Sequence, residues 1–134
     1  MGRRPSHRRP PHSGVYARLG VSSLHGIGVI AVREIPKGTY PFSEFLGGWV
    51  KIKKAAVDKL APEIRKMYHD FYILRDGYYE GARDMNWMDA SFYLNNSKDP
   101  NMGCDKEDAF YALRKIDVGE ELTVDYDTYS EQGE

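Results

Sequence analysis

The chain has 134 residues, of which 41% are hydrophobic and 29% charged, enough for one modest core rather than two. No run approaches the ~18 apolar residues of a membrane-spanning helix, and the first residues lack the apolar stretch of a secretory signal. The chain is therefore expected to be soluble and intracellular, in the cytoplasm or the nucleus. Cys104 is the single cysteine, which rules out an internal disulfide framework or a cysteine-built zinc site and leaves it as a small packing residue.

The net charge of −1 hides a division. Residues 1–13 hold Arg3, Arg4, Arg8 and Arg9 without an acid, so the rest of the chain carries 15 basic against 20 acidic residues, a net −5. An acidic body favours cationic partners. Proline, serine and histidine fill the remainder of 1–13, and so little apolar surface predicts a flexible basic arm ahead of one domain over 14–134. Phosphate contacts by the arm are a weak nucleic-acid signal, because no aromatics are interleaved.

Short strands are predicted at Val15–Leu19 and Val29–Arg33, either side of a Ser22–Gly28 loop that two glycines relax. Ile35-Pro36-Lys37-Gly38 reads as a tight turn, with proline presetting φ and glycine closing it. Thr39–Leu46 is expected as the next strand. Ile52–Met67 carries the main helical composition, and Pro62 divides it into two short pieces.

Arg75-Asp76-Gly77 between Phe71–Leu74 and Tyr78–Tyr79 is a hairpin signal. Ala109–Ile116 and Leu122–Tyr126 repeat the pattern around Asp117-Val118-Gly119-Glu120. The sum is mainly β, which argues against an alternating α/β nucleotide-binding fold. His25-Gly26-Ile27-Gly28 contains Gly-x-Gly, but neither a third glycine nor a helix follows it.

Three segments carry more information together. They are His25-Gly26-Ile27-Gly28-Val29, Leu94-Asn95-Asn96-Ser97-Lys98-Asp99-Pro100-Asn101, and Gly119-Glu120-Glu121-Leu122-Thr123-Val124-Asp125-Tyr126. Their order and spacing resemble the SET-domain lysine methyltransferases over roughly residues 14–130, with Ala109–Ile116 matching the usual turn and strand between. The resemblance implies small twisted sheets, few short helices and a C-terminal pseudoknot, an exception to the rule against threaded connections. That knot would set Asn95, Asn96 and Tyr126 side by side.

The resemblance also implies S-adenosyl-L-methionine as cofactor and a protein lysine in a basic, possibly histone-like, segment as substrate. Transfer from sulfonium to amine is an in-line displacement, so the protein must align nucleophile, carbon and sulfur. The amine must be neutral, which a desolvating aromatic channel beside a cation favours. Hydroxyls and carbonyls can orient it and receive C–H···O contacts from the methyl. No metal is required.

By the match, Tyr126 is the catalytic residue. His25, Gly26, Ile27 and Gly28 cradle the cofactor's amino-acid end, and Asn95 and Asn96 contact the cofactor and support the knot. Phe45, Val124 and Tyr72 are expected to line the substrate channel. Tyr72 comes from an aromatic run, Tyr68, Phe71, Tyr72, Tyr78 and Tyr79, that is otherwise core. Asp99-Pro100-Asn101 fixes a turn as scaffold.

The chain departs from the family pattern in places. Asn96 stands where the family has histidine. In Glu44-Phe45-Leu46-Gly47-Gly48, Phe45 replaces a tyrosine and removes one hydroxyl from the amine site. With Val124 where an aromatic often limits the product, this points to more than monomethylation. The cysteine-rich zinc segment that closes the cofactor site in many relatives has no counterpart here. Closure then falls to Tyr129 as a further cofactor-site residue, or to a second subunit in a homodimer. A SET-like peptide-binding module without catalysis is the alternative reading.

Overall fold

A computed structural model of the chain describes residues 10–43 and 45–131. Residues 1–9 of the basic arm, Glu44 and residues 132–134 lie outside that description.

β1 (Ala17–Val21) and β2 (Ile27–Ala31) pair antiparallel, with Ala17 opposite Ala31 and Val21 opposite Ile27. Both start about two residues from where composition places them. The reason is the connection: Ser22 N donates to Gly26 O at 2.8 Å, and Gly26 at φ 52° lets the chain reverse within a few residues.

The expected strand at Thr39–Leu46 is not formed. Among the described residues of that stretch the backbone is irregular, and buried Pro41 removes a ladder donor. The strand lies later, as β3 (Trp49–Lys53), which takes the first two residues of the expected helix. The helix does divide into two pieces, α1 (Lys54–Val57) and α2 (Pro62–Phe71). Pro62 starts the second piece, where its missing N–H leaves no helical bond unmade.

β4 (Ile73–Arg75) and β5 (Tyr78–Ala82) form the expected hairpin, with Asp76 at φ 52° and Gly77 at φ 81° in the connecting pair. Those angles suit the primed turns that match strand twist. β3 pairs with the other side of β5 to complete a three-stranded sheet in the order β3-β5-β4.

The second expected hairpin is a correction. β8 (Phe110–Ala112) and β9 (Glu121–Val124) are not partners: β8 pairs with β7 (Met102–Cys104), while β9 runs antiparallel to β2. The turn at Asp117–Glu120 does close, with Glu120 N on Asp117 O at 3.0 Å and Gly119 at φ 89°. Ile116 before it bridges to Ile35 before the matching Pro36–Thr39 turn, and both isoleucines are fully buried. Long-range packing of those isoleucines thus overrides the local hairpin signal.

β6 (Asn95–Asn96) and β7 both run parallel to β9. A parallel pair normally needs a long crossover, usually a helix. Here the crossover contains only strands and turns, and β9 is laid between β2 and the β6/β7 segment in the order β1-β2-β9-β7-β8. This central C-terminal strand is the arrangement expected of the pseudoknot, and the fold is mainly β with few short helices.

Two cores result. The larger gathers Val29, Ala31, Ile35, Leu94, Met102, Ala112, Ile116, Leu122 and Val124 from the main sheet. Val57, Tyr72 and Tyr79 form the smaller one under α1, α2 and the three-stranded sheet. Asn101 pins the knot: its Nδ2 donates to Glu121 O at 2.9 Å, and its Oδ1 accepts from Thr123 N at 2.9 Å. A buried amide whose donor and acceptor both pair with one edge of β9 has a scaffold role.

Candidate active site

A cavity of about 1200 Å³ is bounded by residues of both sheets, the end of α2, and the turns at Ala90–Tyr93 and Tyr126–Thr128. Single-ligand pockets are usually roughly 300–1,000 Å³, so two reactants have room to meet. Asp70, Glu80, Asp89, Glu107 and Asp108 line it, while the described lining contains no lysine or arginine. Glu80 and Asp108 are paired with Arg75 and Asp70 with Lys66, so Asp89 and Glu107 are the lining carboxylates that favour cations.

Tyr126 stands at this cavity directly after β9. Its hydroxyl donates to Leu94 O at 2.5 Å, and its backbone N donates to Asn96 Oδ1 at 2.8 Å. The phenol is pushed up to about 12, chiefly by burial and then by the negative charges of Asp70 and Glu121. It is a neutral donor throughout the physiological range. Parallel pairing of β6 with β9 therefore sets Leu94, Asn95, Asn96 and Tyr126 side by side.

Asn95 is buried, and its Nδ2 faces His25 O (3.0 Å), Ile27 O (3.1 Å) and Glu121 Oε2 (2.9 Å). Its side-chain nitrogen is thus committed to the Ser22–Gly28 loop. His25 and Ile27 line the cavity; Gly26 and Gly28 are not part of the lining. Gly28 instead lies against Glu121, where an added Cβ would overlap the carboxylate.

Tyr129 lines the cavity and packs edge-on against Phe110 and Tyr126, with ring centroids 5.5 and 6.3 Å apart. Burial raises its phenol strongly. The following residues dock on β4: Glu131 N donates to Leu74 O at 2.7 Å, and Leu74 N donates to Ser130 Oγ at 3.2 Å.

The expected channel residues separate. Phe45 lines the cavity, edge-on to Phe92 and Trp49 at 5.5 and 6.3 Å. Tyr72 also lines it, but its hydroxyl donates to Ala82 O and its ring belongs to the smaller core. Val124 is fully buried in the larger core and does not reach the cavity wall.

Sequence reading missed Glu121 and Ser22 as individual contributors, and also the Trp49–Phe92 wall. Glu121 lies inside a quoted motif, but its partner Ser22 is 99 positions away, and only the folded sheet joins them.

The SET-domain family model matches residues 26–127. The chain belongs to the SET-domain family. Its SET domain resembles in fold the crystal structure of a candidate histone methyltransferase from Plasmodium falciparum, with a TM-score of 0.52 and 20% identity. That match covers 84% of this chain and 93% of the other. No curated protein sequence matches the chain. SET-domain proteins include protein lysine methyltransferases, which generally use S-adenosylmethionine. Among the described residues, no helix is long and apolar enough to cross a membrane.

Proposed function

We propose that this SET domain transfers a methyl group from S-adenosylmethionine to a lysine side chain within a basic protein segment, of the histone-like kind. The observation that carries the reading is Tyr126, a protonated phenol fixed at both its hydroxyl and its backbone N, beside a cavity lined by carboxylates and free of lysine and arginine among the described residues.

The lining suits a cationic, partly apolar cofactor. Leu24, His25 and Ile27 form one wall, Asn96 offers its side-chain N–H groups, and Phe110 and Tyr129 offer ring faces and edges. When bound, S-adenosylmethionine supplies an electrophilic methyl on a sulfonium. Asp89 and Glu107, which line the cavity without a basic partner among the described residues, draw in the substrate cation. Phe45, Phe92 and Tyr93 strip water from its aliphatic stem and favour the neutral amine by desolvation.

Tyr126 cannot serve as a phenolate base near neutral pH, because burial holds its proton. Its part is to orient the reacting groups and to stabilise charge as it redistributes, from a geometry fixed before substrate arrives. Leu94 O, which accepts the Tyr126 hydroxyl, is a second oxygen at the same point. Phe45 brings no hydroxyl to the cavity, and this supports products beyond monomethyl-lysine.

The test is transfer from tritiated S-adenosylmethionine to a histone mixture and to whole-cell lysate, comparing the chain with Tyr126→Phe. Incorporation that disappears in the variant supports the enzyme. No incorporation together with no cofactor binding replaces it with a SET-like peptide-binding module.

A further inference from the structure

We infer that Glu121 and Ser22 are positioning residues that hold the Leu24–Ile27 loop in its cofactor-binding shape, an inference that rests on the methyltransferase reading of this cavity. Ser22 is the last step out of β1 and Glu121 the first residue of β9, 99 positions apart, yet they meet because both strands flank β2.

The connections run in one direction. Ser22 Oγ donates to the Glu121 carboxylate, 2.8 and 2.9 Å from its two oxygens. The same Oγ accepts Leu24 N at 2.8 Å and His25 N at 3.0 Å. The two N–H groups of Asn95 Nδ2 are shared among Glu121 Oε2 at 2.9 Å and the loop carbonyls of His25 and Ile27 at 3.0 and 3.1 Å. One carboxylate thereby orients a hydroxyl and an amide, and together these hold both donors and acceptors of the loop. Charge-assisted hydrogen bonds of this kind are about twice as strong as neutral ones.

Gly28 is required by the same arrangement. A Cβ there would occupy the space of Glu121 Oε2 and press on Ser22 Cβ. Its φ does not lie in the left-handed region, so glycine is needed there for room rather than for backbone freedom. Glu121 does not line the cavity, so its influence reaches the cofactor through the loop and through Asn95, which it also holds.

The experiment uses the full chain with Ser22→Ala, Glu121→Gln, Gly28→Ala, Glu121→Ala and the Gly28→Ala/Glu121→Ala double variant. Each of the first three is expected to raise KM for S-adenosylmethionine about tenfold, with kcat and the peptide KM changed less than about threefold. Ser22→Thr keeps the hydroxyl and restores the wild-type value. Gly28→Ala should cost less in the Glu121→Ala background, because the overlap with the carboxylate is gone and only the contact with Ser22 Cβ remains; an additive double variant contradicts the coupling.

Amide hydrogen exchange without cofactor separates this inference from the functional reading. Leu24 and His25 amides should exchange about tenfold faster in Ser22→Ala than in the parent. Unchanged exchange together with unchanged cofactor KM overturns the inference. If the parent neither binds S-adenosylmethionine nor transfers methyl, the functional reading fails and the cofactor role of this pair fails with it. Faster exchange then leaves only the loop-holding role.

Discussion

The side chain of Asn96 caps the backbone N–H of Tyr126: Oδ1 accepts it at 2.8 Å across 30 positions of sequence. The residue standing in place of the family's histidine therefore holds Tyr126, the tyrosine proposed as catalytic, through its acceptor oxygen, while its backbone continues β6 opposite Val124.

Replacing Asn96 by Ala should lower kcat roughly tenfold or more, since small displacements of a reacting group carry large rate penalties. The loss in unfolding free energy should be only about 1 kcal/mol. Asn96→Asp keeps the acceptor and should stay close to the parent. Initial rates and urea midpoints on the same samples decide it; a rate loss no larger than the stability loss would remove the positioning role.

Alkaline pH should unfold the protein through its buried phenols. Tyr126 and Tyr72 are both raised to about 12, in each case mainly by burial. The unfolded phenols ionise first, near 10, so the unfolded state binds fewer protons above that pH. Stability is complete below pH 10 and falls as pH rises toward 12. Tyrosinate absorbance and circular dichroism should change together in that window; separate transitions would show that these phenols titrate in the folded state.

Arg75 ties the three-stranded sheet to the β7–β8 connection. Its guanidinium meets Asp108 through two hydrogen bonds, 3.1 and 2.9 Å, and Glu80 at 3.3 Å. All three side chains are partly exposed, so solvent screening limits their worth. Arg75→Met should cost about 1–2 kcal/mol in urea denaturation, mostly by leaving Asp108 and Glu80 facing each other without a cation.

Salt should weaken use of basic peptides. With Asp89 and Glu107 lining the cavity without a basic partner among the described residues, raising ionic strength from about 0.05 to 0.5 M should lower kcat/KM about twofold or more, chiefly through KM. A cofactor KM that moves as much as the peptide KM would place the effect elsewhere.

Short-range chemistry made part of this molecule legible. Asp76-Gly77 forms its turn because the positive φ angles are local requirements, and Pro62 starts a helix because it lacks an N–H. Tyr126 and Asn95 could be named because their motifs sit at fixed spacing. Other features depend on partners far along the chain. β8 leaves β9 for β7, and Glu121 finds Ser22, through packing that no window of residues contains. Thr39–Leu46 read as a strand on composition, yet buried Pro41 and the cavity wall claim it. Val124 is expected at the channel two positions before Tyr126, but it shares the core face of β9 with Leu122, and the strand ends there, so Tyr126 in the following turn points elsewhere.

The placement of β9 has a consequence for biogenesis. During synthesis, β1, β2, β6, β7 and β8 leave the ribosome before the strand that joins them, so β2 and β7 wait with open edges. Hydrogen-bonded closure of the sheet, the clasp on the loop and the seating of Tyr126 are all completed by one late segment. A nascent chain stalled before Glu121 should therefore be protease-sensitive and prone to self-association, and release of the last segment should convert it to the resistant form in one step.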